Sequence, residues 1–268
     1  MKKINSKMGK EVDVAILAAL TAGDFLEKNI GKIKQVDFKE VKDIVTNIDT
    51  ETEKKIISTI KKNFPEHGIF AEESGKGKAE SEYVWIIDPL DGTVNYSRGI
   101  PIYGVSIALS KGGEIIAGVI YLPSRKELFY AAKGKGAFMN GKKISVSKTS
   151  ELSKAMFYTN DFNIFDKQII ESTRDKKNSH IITISKEVMR MRIIGSAVTE
   201  LAYLASGRID AYTMINFGYW DVAAGALITE EAGGKVSDFE GKPLTEKSKV
   251  FLATNGILHQ KILSLLKK

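Results

Sequence analysis

Cysteine is absent from this 268-residue chain. That excludes disulfides, thiolate nucleophiles and thiolate-bound zinc or iron–sulfur centres. No apolar run reaches the roughly 18 residues that a membrane-spanning helix requires, so no membrane association is expected. The opening MKKINSKMGKEVDVAILAAL is interrupted by Glu11 and Asp13 and has no small-residue cleavage site, so it does not read as a secretory leader. A cytoplasmic address is the default expectation. Internal repeats and low-complexity linkers are missing too, which argues against solenoids and bead-like arrays.

What is present is ordinary for a globular protein: 43% hydrophobic and 27% charged residues. The net charge of +7 raises the question of an acidic partner. Its lysines are dispersed, as at Lys54–Lys55, Lys61–Lys62, Lys142–Lys143 and Lys176–Lys177, and are not gathered on one element among aromatics. A solvated surface that attracts small anions fits this better than a nucleic-acid interface.

Apolar spacing predicts helices over 11–30 and 48–64, the second stopped by Pro65. GIFAEES and YVWIID read as buried strands ending abruptly in acids. Lys111, Gly112 and Gly113 mark a hairpin between VSIALS and EIIAGVIYL, and KGKGAFMNGKKI reads as a glycine-rich connection. The segment 74–81, SGKGKAES, reads as a mobile loop that orders when metal binds. Past residue 150, strands and helices alternate. MRIIG is a strand, SAVTELAYLASG a helix capped by Ser196 and closed by Gly207, and IDAYTMI a strand. WDVAAGALITEEAGG is a helix, followed by a strand at VFLATN and a final helix. These patterns predict two abutting subdomains, 1–148 and 149–268, in one compact unit.

Four places concentrate chemistry. In VWIIDPLDGT a buried strand delivers Asp88, Pro89 interrupts the regular ladder, and Asp91 follows three residues later. Two carboxylates with the Leu90 carbonyl between them are hard oxygen donors, suited to magnesium or calcium and not to zinc. Glu72 lies in AEES at 71–74. Asp221 opens a helix of unusually small residues, and Asp49 lies near the start of another. Each has an ordinary alternative: turn residues for Asp88 and Asp91, a solvated loop for Glu72, helix caps for Asp49 and Asp221.

Taken in order, the segments AEES (71–74), WIIDPLDGTVNY (85–96) and WDVAAGALITEEAGG (220–234) resemble the inositol monophosphatase family. KGKGAFMNGKKI (133–144) and GSAVTELAYLASGRIDAY (195–212) look like further family segments, so the resemblance spans nearly the whole chain. It implies a layered α/β/α/β/α sandwich, its first half α+β and its second α/β, with the site between the halves. It also implies a magnesium-dependent, lithium-sensitive phosphomonoesterase, frequently a homodimer. By similarity, Glu72, Asp88 and the Leu90 carbonyl would hold one ion. Asp88, Asp91 and Asp221 would hold a second, and a third would sit near Glu72. Asp49, Glu72 and Thr93 would position the attacking water. Gly92 and Thr93 would give amides to the phosphate, and Arg192, Gly195, Ser196 and Ala197 would approach the substrate.

One departure bears on the substrate. Inositol-specific members often carry a glutamate seven residues before the aspartate of the WD motif, where this chain has Met214. Methionine is a poor acceptor for a hydroxyl. Inositol 1-phosphate therefore stands beside fructose 1,6-bisphosphate and histidinol phosphate as candidate substrates. The remaining alternative is a non-catalytic, basic RNA- or protein-binding member of the fold.

Overall fold

The computed structural model describes residues 6–32, 36–40, 43–77, 81–160 and 180–266. A small hairpin, β1 (Val36–Glu40) and β2 (Asp43–Thr46), lies between helices α1 (Lys10–Asn29) and α2 (Asn47–Asn63). An eight-stranded sheet follows. Its spatial order is β10 (Lys142–Lys143), β9 (Ala137–Met139), β8 (Glu127–Ala132), β7 (Glu114–Leu122), β6 (Gly104–Lys111), β5 (Tyr83–Asp91), β3 (Gly68–Ala71) and β4 (Gly75–Lys76). A five-stranded sheet runs β12 (Arg190–Arg192), β11 (Met156–Thr159), β13 (Ala211–Ile215), β15 (Val250–Thr254) and β14 (Lys235–Ser237). The remaining helices used below are α3 (Thr93–Ser97), α4 (Ala197–Ala205), α5 (Tyr219–Glu231) and α6 (His259–Leu266).

Strand alternation sorts the core into layers. Trp85, Ile87, Ile107 and Val119 face α1 and α2, meeting Ala15, Ala19, Ile56 and Ile60. Ile86, Ala108 and Ile120 face the other way and meet Val198 and Ala202 of α4 and Ala223, Ala224 and Leu227 of α5. The far sides of these two helices, through Leu201, Leu204 and Val222, cover Tyr212, Phe251 and Ala253 of the second sheet. The last face of that sheet, with Phe157, Ala211 and Leu252, is closed by Leu258, Ile262 and Leu263 at α6. The result is the expected α/β/α/β/α sandwich.

Helix α5 comes unusually close to the first sheet because both surfaces are stripped of side chains. A Cβ on Gly118 of β7 would lie 2.8 Å from the Ala224 carbonyl of α5, while on another side of α5 a Cβ on Gly225 would lie 2.5 Å from Leu201, so that α4 also packs close. That close approach sets the position of Asp221 at the helix start.

Several details differ from the sequence reading. KGKGAFMNGKKI is not a plain connection but contains the β9–β10 hairpin. Asn140 and Gly141 form its two-residue turn with φ of 48° and 82°, the left-handed pair that favours Asn-Gly. The strand predicted at MRIIG ends at Arg192. Beyond it, Asn95 Nδ2 donates to the Ile194 carbonyl at 2.8 Å and draws the chain off the sheet. In the predicted loop 74–81, Gly75 and Lys76 pair with Ala71 and Phe70 as a short edge strand, while 78–80 lie outside the described residues.

Candidate active site

The site is built at the end of β5. That strand runs past Pro89 to Asp91, with Asp88 opposite Ser106 and Asp91 opposite Gly104. Three steps on β5 thus match two on β6, a bulge at the proline, which has no N–H for the ladder. The bulge brings both aspartates and the Leu90 carbonyl to one rim. Leu90 N donates to Asp88 Oδ1 at 3.0 Å, fixing the tight path.

Gly92 follows with φ of 83° and begins α3. A side chain there is barred twice, by the left-handed backbone and by the Ile102 carbonyl, which would lie 2.8 Å from a Cβ. The Thr93 hydroxyl then lies 2.9 Å from both Leu90 O and Asp49 Oδ1. Asp49 comes from the first turn of α2, where its other oxygen accepts from Thr46 N at 2.9 Å and from the Thr46 hydroxyl. Asp49 is therefore a helix cap and a partner of Thr93 at once. Burial raises its proton affinity, against the lowering effect of the Thr46 and Thr93 hydrogen bonds.

Glu72 leaves the end of β3, with its backbone N–H on the Ile87 carbonyl at 3.1 Å. The next residue is anchored too: Glu73 N donates to Glu53 Oε2 of α2 at 2.8 Å. Asp221 is the third residue of α5, and its Oδ2 accepts from Gly218 N at 2.8 Å. It too combines a capping role with a place in the cavity. Its neighbour Trp220 packs edge-on to Phe70, ring centroids 5.4 Å apart, and its carbonyl accepts from Ser106 Oγ.

These elements surround a cavity of about 750 Å³. Asp88, Leu90 and Asp91 line it from β5, Glu72 from the turn after β3, Gly92 and Thr93 from the start of α3, Gly195, Ser196 and Ala197 from the start of α4, and Asp221 from α5. Ser196 does more than border the cavity. It caps α4, and Asp91 Oδ2 accepts from the Ser196 hydroxyl and from Val198 N at 3.1 Å. Arg192 is not brought in: it is exposed, outside the cavity lining, and its guanidinium donates to the Met191 carbonyl. Met214 does line the cavity, on β13.

Other cavity residues carried no signal in the sequence. Glu200 and Tyr212 are buried at the wall, and Asn160, Asn216, Glu246 and Lys249 stand along it. The Tyr212 hydroxyl lies beside the Glu200 carboxylate without a hydrogen bond of normal geometry. Glu200 sits in the first turn of α4 and Lys249 is exposed just before β15, and neither position marks a site by itself. Only the packing of distant segments makes either a cavity residue.

Electrostatics dominate the floor. Asp88 is 1% exposed. Burial pushes its carboxyl well above the usual carboxylate range, and Glu72, Asp91 and Asp221 push it further. Asp91 is raised to about 6 by burial, against the hydrogen bonds from Ser196, Val198 and Ala197. Among the described residues no three acids or histidines close on a single point as a finished metal shell. Asp91 and Asp221 are turned instead toward donors of the protein, Ser196 and Gly218. The donor set nevertheless fits a hard divalent cation: oxygen atoms alone, mutually repelling, with Lys249 the sole basic side chain in the lining among the described residues.

The comparisons with known proteins agree with this construction. The model of the inositol monophosphatase family matches residues 8–268. Inositol monophosphatase 2 of Solanum lycopersicum is 40% identical, over 97% of this chain and 98% of its own. A fructose-1,6-bisphosphatase/inositol-1-monophosphatase of Thermotoga maritima is 36% identical, over 95% and 94%. The crystal structure of the extragenic suppressor protein suhB from Bartonella henselae superposes with a TM-score of 0.90 at 36% identity, covering 96% of this chain and 98% of that one. Among the described residues no helix is long and apolar enough to cross a membrane. On motif order, layered fold and similarity along its length, the chain belongs to the inositol monophosphatase family and is a phosphatase, a phosphoric monoester hydrolase.

Proposed function

We propose that the chain hydrolyses a small polyol or sugar phosphate, with inositol 1-phosphate or a similar ester as substrate. The observation that carries this is the buried Asp88, set among Glu72, Asp91 and Asp221, next to a Thr93 hydroxyl held by Asp49. Glu72, Asp88, Asp91, Asp221 and the Leu90 carbonyl are the groups that would hold two to three magnesium ions. Bound there, magnesium would activate water and stabilise the departing ester oxygen. Lithium sensitivity would follow from competition for those groups.

The protein's own residues supply the rest. Thr93, donating its proton to Asp49, leaves oxygen lone pairs free to accept from an incoming water and so orient it. The raised proton affinity of Asp49 equips it to receive a proton through that hydroxyl. The first-turn amides of Thr93 and Val94 have no carbonyl partner within α3 and are available to a phosphate oxygen. Ser196 holds Asp91 in place, which gives it a positioning part in addition to its place beside the substrate.

Met214 favours a second reading, activity toward fructose 1,6-bisphosphate or histidinol phosphate, because it offers a cyclitol no carboxylate acceptor. The test is phosphate release from inositol 1-phosphate and fructose 1,6-bisphosphate, each with magnesium and with chelator. Magnesium-dependent release from either supports the proposal. Silence with these and with a wider panel of phosphate esters, while magnesium binds, sinks it.

A further inference from the structure

The cavity wall supplied by the second sheet has an order of its own. Along β13, Tyr212 and Met214 lie two residues apart on one face of the strand and both reach the cavity, while Thr213 turns away to Thr159. Asn216 comes next, at the strand end, with φ of 55°. That backbone region is uncommon for any residue but glycine, though asparagine tolerates it best. Ile215 pairs with Val250, and one step further the Asn216 N–H donates to the Lys249 carbonyl at 2.8 Å. The open end of the β13–β15 ladder thus presents Asn216 and Lys249 side by side at the cavity.

Among the described residues Lys249 is the sole base in that lining. Glu246, three residues earlier, is the cavity acid nearest to it in sequence. Its two oxygens are taken by Lys76 Nζ at 2.8 and 3.0 Å. No salt bridge or side-chain hydrogen bond engages the Lys249 ammonium among the described residues. A cavity cation that has no ion pair among the described residues is poorly suited to a neutral polyol. It suits a substrate whose far end is negative.

We propose that Lys249, seconded by the Asn216 amide, is a specificity-determining residue that receives a second anionic group of the substrate. The favoured substrates are then small hydroxylated phosphate esters bearing another phosphate or carboxylate. This deepens the proposed phosphatase reading and rests on it. Met214 separates the two polar ends of the wall and discriminates little between ring hydroxyls, so the charge at the rim carries the selection.

The test compares fructose 1,6-bisphosphate with inositol 1-phosphate in the wild type, Lys249→Met and Lys249→Arg. The ratio of kcat/KM for the bisphosphate over the monophosphate should fall about ten-fold in Lys249→Met, through KM, and recover in Lys249→Arg. The loss should shrink as salt rises, since the contact is at an exposed rim. A ratio within about two-fold of wild type at low salt overturns the proposal. Calorimetric binding of fructose 1,6-bisphosphate gives a readout without turnover. If the wild type releases phosphate from no ester, the phosphatase reading fails, and equal affinity of wild type and Lys249→Met in that titration overturns the role of Lys249 separately.

Discussion

Asp49 caps helix α2 through one carboxylate oxygen and holds the Thr93 hydroxyl, 2.9 Å away, through the other. Folding and chemistry meet in one side chain, and two substitutions pull them apart. Asparagine keeps a side-chain oxygen that can accept from Thr46, so Asp49→Asn should unfold within about 1 kcal/mol of wild type. It cannot accept the proton passed by Thr93, and kcat should fall on the order of 100-fold. Asp49→Ala should lose both activity and roughly 1 kcal/mol more of stability through the missing cap. Urea unfolding and steady-state kinetics on the two variants check this. Parallel losses of stability and activity would reduce Asp49 to a cap.

Asp88 poses the opposite balance. Without cations its charge is buried and repelled by Glu72, Asp91 and Asp221. At neutral pH Asp88→Asn should therefore melt higher than wild type in chelator, by on the order of 1 kcal/mol. With saturating magnesium the order should reverse, because the wild type gains binding free energy that the variant lacks. Activity should drop by about 1,000-fold or more. A variant that gains as much from magnesium as the wild type would place the ions elsewhere.

Much of this architecture was legible because burial patterns and acid positions coincide. GIFA and YVWII are apolar runs that could only be interior strands, and both end where charge begins. The small-residue face of α5 declared a close approach to a sheet, which the Gly118–Ala224 contact makes concrete. The bulge at Pro89 was half visible: the proline announced an irregularity, but not that the ladder resumes at Asp91. Asp49 was ambiguous between a cap and a residue positioning water, and Asp221 between a cap and a ligand, because the capping bonds of each use only one of its two oxygens. Glu200, Tyr212 and Lys249 were invisible because nothing local distinguishes them. Their meaning comes from β13, β15 and α4 converging on one cavity, which is tertiary information.

Trp220 offers a direct reporter of that cavity. It precedes Asp221 and packs on Phe70, whereas Trp85 is fully buried with its indole N–H on His67 Nδ1 at 3.1 Å. In a Trp85→Phe background, emission comes from Trp220 alone. Magnesium should change that emission saturably, with a midpoint that matches calorimetric binding. Asp221→Asn should shift the midpoint upward by about ten-fold or more, since it removes a charged ligand from the ion's surroundings. An unshifted midpoint would remove Asp221 from the ligand set.

Far from the cavity, His259 ties α6 to the second sheet. It is 1% exposed, its Nε2 lies 3.0 Å from Ser237 Oγ and its Nδ1 lies 3.0 Å from Thr254 Oγ1. Burial, aided by the nearby Lys235, lowers its pKa from 6.5 to about 4. The fold thus favours the neutral ring, while the unfolded chain takes up a proton below about 6.5. The sign follows: this contribution to stability is fully present above pH 6.5 and is lost as pH falls from there toward 4. Between pH 7 and pH 4.5 it should amount to on the order of 2 kcal/mol. His259→Gln keeps hydrogen-bonding groups but cannot titrate, so its stability should fall less steeply over that interval. Urea midpoints at a series of pH values, wild type against variant, give the difference directly. Parallel curves would mean that His259 titrates in the folded protein as it does in the unfolded chain.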